Sequence, residues 1–158
     1  MRTRPTEKCM IGGYEVSTTR LAPTTCLRLA PKLIKILTPA LPLVVRSRAL
    51  DMDADKIGEA INALTATLDD AMIDMLCREL LADTTIIMPN EHGVLTVVEL
   101  TSPQMVDIAF GGIDDGLSLL VQTLLFVGKV NFKRSFFDAA AAMGLKKIAP
   151  VTATTAPE

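Results

Sequence analysis

The chain has 158 residues, 49% of them hydrophobic and 22% charged, with a net charge of −2 and a sequence pI near 5.4. That length suits one domain with a sizeable core, and the slightly acidic balance, with Lys and Arg scattered along the chain, argues against a nucleic-acid-binding protein, which normally shows a basic patch or stripe. A mean hydropathy of +0.37 is high for a monomer and calls for an unusually apolar core or apolar surface covered by a partner.

Residues 1–8 read as a flexible leader. Cys9-Met10-Ile11, the pair Gly12-Gly13 and Tyr14-Glu15-Val16-Ser17-Thr18 read as a short hairpin, because two adjacent glycines can both take positive φ. Pro23-Thr24-Thr25 opens a helix that Thr24 or Thr25 can cap. Its apolar face carries Leu27, Leu29, Leu33, Ile34, Ile36 and Leu37, with Lys32 and Lys35 outside it. Pro31 should bend this helix or fall in its first turns, and Pro39 and Pro42 should end it.

Asp51-Met52-Asp53 starts the next helix, where Ile57, Ile61, Leu64 and Leu68 form an amphipathic stripe. Asp69-Asp70 begins another, with Met72, Ile73, Met75, Leu76, Leu80 and Leu81 as apolar members. Thr85-Ile86-Ile87-Met88, a Pro-Asn-Glu-His-Gly turn and Val94-Leu95-Thr96-Val97-Val98 read as a second hairpin. Ser102-Pro103 is a helix start, with Ser as cap and Pro at the first helical position. Gly111-Gly112 breaks the chain before a helix, from about residue 113 to 127, that is apolar on most sides and so central to a core or an interface. Ala139 to Ala142 continue a short helix that Gly144 can stop, and residues 148–158 are expected to be a disordered tail. The expected fold is a single mainly α domain over residues 9–147, a compact helical body with two short β-hairpins and disordered termini.

No constellation for catalysis emerges. The single histidine, His92, sits in a turn, and no Gly-x-Ser-x-Gly elbow exists for a triad. Cys9, Cys26 and Cys77 are too widely spaced for a zinc site with His92, and free thiols are expected. Asp51, Asp53 and Asp55 suggest a calcium loop, but its sixth and twelfth positions are Lys56 and Asn62. Neither glycine pair is followed by a phosphate-binding pattern. The uncharged apolar run over residues 116–128 is too short to span a bilayer, and no apolar signal core follows the basic N-terminus. The expectation is a protein without enzymatic activity, cofactor, metal, membrane or nucleic-acid partner, working in the cytoplasm through apolar surface. Eight methionines fit a surface that adapts to irregular apolar partners, although methionines on an apolar stripe are more often core.

The order of pieces carries a resemblance. A hairpin around Ile11-Gly-Gly-Tyr-Glu-Val16 is followed by Leu-Ala-Pro-Thr-Thr, Leu29-Ala-Pro-Lys-Leu-Ile-Lys-Ile-Leu37, a Pro-rich stretch and an Ala-rich helix. An Asp-Asp helix ending Glu79-Leu-Leu, a second hairpin and an apolar helix closing in Val130-Asn-Phe-Lys-Arg-Ser-Phe-Phe137 complete it. Over residues 9–137 this order resembles the tail assembly chaperones of long-tailed bacteriophages. The resemblance implies a host-cytoplasmic protein that binds the tape measure protein, keeping it soluble and extended while the tail tube polymerises. It leaves the tail tube protein and a second copy of the chain as further partners. It also implies a longer product by frameshifting, for which Gly144-Leu-Lys-Lys147 could be encoded by a slippery heptamer. The alternative is a structural protein of the phage tail or baseplate that stays in the virion. Candidate client contacts are Leu33, Ile34 and Leu37, then Met72, Met75 and Leu76, and finally Phe132, Phe136 and Phe137.

Overall fold

The computed structural model describes residues 3–37 and 54–148; for residues 37, 54, 56, 57, 60 and 133–148 it describes the backbone alone. The chain begins with strands β1 (Thr6–Ile11) and β2 (Tyr14–Thr19), joined by Gly12 and Gly13 at φ 57° and 86°. Positive φ at both central residues gives the turn a twist that matches the strands it joins. β1 starts at Thr6, ahead of Cys9, where the hairpin is expected to begin.

Helix α1 (Pro23–Leu37) takes Pro23, not a threonine, as its first residue, where a missing N–H costs nothing. Pro31 lies within α1, exposed, and the helix continues to Leu37. Pro39, Pro42, Asp51 and Asp53 lie outside the described residues. Helix α2 (Ala54–Thr65) follows, then α3 (Asp70–Met75), whose N-cap Asp69 accepts a hydrogen bond from the Met72 N–H at 2.8 Å. Without a break α3 widens into a π-helical turn, Leu76–Leu80, closed by the Leu81 N–H on the Leu76 carbonyl at 3.0 Å. Strands β3 (Thr84–Pro89) and β4 (Leu95–Glu99) form the second hairpin. Helix α4 (Pro103–Phe110) is capped by the Ser102 hydroxyl, which accepts from the Met105 N–H.

The last helix, α5, runs from Gly116 to Ile148 as one element of 33 residues. Two expectations are corrected here: the helix does not end near Val127, and Gly144 does not stop it. A lone glycine costs a helix only about 1 kcal/mol, which its neighbours can outweigh.

The expected mainly α fold with two separate hairpins is also corrected. The hairpins join into one antiparallel sheet in the order β1-β2-β3-β4, through Val16 opposite Ile86 and Thr18 opposite Thr84. The architecture is therefore α+β, with helices, among the described residues, on one face of a sheet. The inner face places Ile11, Val16, Ile86 and Val98 against the core. Within that core the Thr18 and Thr84 hydroxyls bond each other at 2.9 Å, so neither buried oxygen is orphaned. The other face carries Lys8, Met10, Leu95, Val97 and Glu99, all exposed. Helix α5 packs on β1 and β2 and also touches α1, α2, α4 and the π turn, so it is the element around which the others gather.

A candidate docking groove

Between α2, α3 with its π turn, and the first half of α5 lies an open groove of about 250 Å³. The turn after α2 sets one wall. Thr67 donates its hydroxyl to the carbonyls of Leu64 (3.0 Å) and Ile36 (3.2 Å), holding the end of α2 to the end of α1. Asp69 then caps α3 and turns the chain back along the groove. The π turn adds a residue to the helical circuit, and Leu76, Cys77, Leu80 and Leu81 are all buried there.

The floor of the groove is Leu64, Leu76, Cys77 and Val121, each at most 7% exposed. Its flanks are the half-buried Ile61, Leu68, Leu120 and Leu124. At its rim Ile73 is 42% and Leu117 56% exposed. Its two polar linings offer a guest little. Thr65 donates its hydroxyl to the Asn62 carbonyl at 3.0 Å, and the Cys77 thiol is held protonated, its pKa raised by burial first and by the carboxylates of Asp107 and Asp74 after that. Polar atoms of a guest would lose hydration there with little replacement, whereas apolar ones gain by leaving water.

The candidate contacts named from sequence fall in different places. Leu76 forms part of the groove floor. Leu33 is buried at a small cavity of about 30 Å³ beneath it, shared with Ile36, Leu80 and Leu125. Ile34, Met72 and Met75 are half-buried against the core. Phe132 is buried and borders a separate open cleft of about 420 Å³ with Arg20, Cys26 and Leu27. Leu37, Phe136 and Phe137 lie on helical backbone, and their side chains are outside the described residues. Leu117, Leu120, Val121 and Leu124 of α5 line the groove without having been singled out; the apolar character of that helix on most sides was the signal for them.

His92 is exposed in the β3–β4 turn, where its backbone N–H donates to Asn90 Oδ1 at 2.9 Å. Cys9 and Cys26 are half-buried and Cys77 buried, all as free thiols. Among the described residues no group of three or more His, Cys, Asp or Glu side chains is placed to hold a metal ion, and no helix is long and apolar enough to cross a membrane.

A family model described as phage tail assembly chaperone protein matches residues 12–145. No curated protein and no solved structure matches the chain.

Proposed function

The chain belongs to the phage tail assembly chaperone family, and from that premise we propose that it binds the tape measure protein in the groove between α2, α3 and α5. The family is a family of assembly chaperones and not of enzymes. The observation that carries the finer reading is the groove itself, which has an apolar floor, an apolar rim at Ile73 and Leu117, and polar linings already engaged or neutral. Such a groove suits an amphipathic helix, which lays residues spaced three and four apart into the apolar trough and leaves its polar side in water. A tape measure protein is a long, largely helical chain with apolar stretches of that kind. Occupying them one groove at a time keeps the client soluble while the tail tube polymerises around it. The work takes place in the host cytoplasm, with the tail tube protein as the next partner.

The test is co-expression with the tape measure protein of the same phage. The expected result is a soluble complex that purifies together, with the client insoluble alone. A client that remains insoluble, together with recovery of this chain from finished virions, would replace the chaperoning of this client with a structural role in the tail or baseplate.

A further inference from the structure

The surroundings of the groove differ in charge from the rest of the chain. Residues 61–80 and 103–128 line it or pack directly behind its lining. Those two stretches hold seven carboxylates and only one of the chain's 16 cations, Arg78. Arg78 is bound to Asp74 at 2.7 Å, Glu79 is bound to Arg28 of α1 at 3.4 Å, and Asp69 caps α3. Asp107, Asp114 and Asp115 are exposed and, among the described residues, pair with no cation.

Asp114 and Asp115 precede α5, whose N-terminus favours a carboxylate. They stand three and two residues before Leu117 at the rim. Asp107 lies beyond the first turn of α4, where no helix start calls for a negative charge. Its field reaches the floor, since after burial it is Asp107 and then Asp74 that raise the Cys77 thiol, with Arg78 opposing.

We propose that the groove selects as its guest an amphipathic helix whose apolar stripe is flanked by lysines or arginines. This rests on the groove being the client site.

The apolar floor sets the stripe, and the surplus of carboxylates sets the flanks. Lysine and arginine lay their aliphatic stems along apolar surface and keep the charged head in water. On such a guest the stems cover the exposed Ile73 and Leu117, and the heads come within reach of Asp107, Asp114 and Asp115. A guest with acidic flanks gains the same floor but meets like charge at the rim, which disfavours it as a partner. Neither feature selects alone: the floor by itself accepts any apolar stripe, and the carboxylates by themselves attract any cation.

The experiment is fluorescence anisotropy of the full chain with two labelled peptides of about 18 residues, or about five helical turns. Both carry the same leucine stripe. One has lysine along its flanks and the other glutamate, two residues of similar helix propensity. The lysine peptide is expected to bind about tenfold tighter or more at about 0.1 M salt. That gap should close towards about 1 M salt, where the screening length falls from about 10 Å to about 3 Å. Asp107→Asn with Asp115→Asn should weaken the lysine peptide and strengthen the glutamate peptide, and the second effect shows that the variant is folded. Glu91→Gln with Glu99→Gln removes the same charge from exposed positions outside the groove and should leave the gap unchanged. An equal effect of the two pairs would trace the preference to net charge and overturn the proposal. Equal binding of the two peptides by wild type, or tighter binding of the glutamate peptide, overturns it and leaves the groove as a helix site. Failure of both peptides to bind overturns it together with the groove, while co-purification with the tape measure protein remains a separate result.

Discussion

Asn131 accepts a hydrogen bond through Oδ1 from the backbone N–H of Leu21 at 2.7 Å, joining residues 110 positions apart in the chain. The same side chain donates through Nδ2 to the Val127 carbonyl one helical turn back, which fixes its orientation. One amide thus ties the middle of α5 to the segment between β2 and α1. Asn131→Ala should destabilise the protein by about 1–3 kcal/mol, because the N–H of the buried Leu21 is left without a partner. Urea unfolding monitored by circular dichroism checks this, with an unchanged midpoint as the contrary result.

The Thr18–Thr84 hydroxyl pair makes a sharper case, because both groups are buried and each is the other's partner. Thr18→Val or Thr84→Val alone should cost about 1–3 kcal/mol, whereas the double substitution should cost clearly less than their sum. The unfolding free energies of the four proteins in the cycle decide it.

Gly12 and Gly13 share a turn but not an environment. A Cβ at Gly12 would lie 2.3 Å from Leu119 Cδ2, while one at Gly13 would meet nothing within 4 Å. Both have positive φ, which costs an L-residue about 1–2 kcal/mol. Gly12→Ala should therefore lower the melting temperature more than Gly13→Ala, since it alone also displaces a buried leucine. Equal shifts for the two would mean that Leu119 moves aside freely.

Burial raises the Cys77 thiol pKa, and burial likewise raises that of Cys26. A group whose folded pKa is raised contributes stability that is complete below its unfolded value and lost as pH climbs towards and through the folded one. Stability should accordingly decline above the ordinary thiol value of 9.0, and Cys77→Ala should flatten part of that decline. Chemical denaturation at a series of alkaline pH values provides the comparison.

Rim and floor of the groove should separate in function. Ile73→Glu with Leu117→Glu alters exposed side chains, so the fold should persist while affinity for the tape measure protein falls by about tenfold or more. Leu76→Glu places a charge in the core and should prevent folding. A folded rim variant that binds its client as well as wild type would remove the groove from consideration.

Features written into a few adjacent residues were legible in the sequence. Gly12-Gly13, the turn after Pro89, Asp69 as a cap and Ser102-Pro103 each act through neighbours three or four positions away, and each lies where its chemistry places it. The β2–β3 pairing was not legible, because it depends on Val16 finding Ile86 across the whole helical excursion, and either strand alone satisfies the same local pattern. The length of α5 exceeds what the sequence suggests because Gly144 has a local tendency that its context overrides. The groove is assembled from two consecutive helices, α2 and α3, and from α5, which is remote from both in the chain. The stripe of Ile61, Leu64 and Leu68 and the all-round apolarity of α5 announced buried surface without saying which part would stay open.

The position of α5 after all four strands sets a schedule. Each hairpin can close as soon as it leaves the ribosome, since hairpins form within microseconds and translation adds only about 5–20 residues per second. Helix α5, which packs on β1 and β2, emerges after all four strands. Until it arrives, β1 and β2, with the buried Val16, have no such cover. An assembly chaperone thus passes through a nascent stage in which part of its own apolar surface lacks its helical cover, and a message cut short before α5 would leave it there.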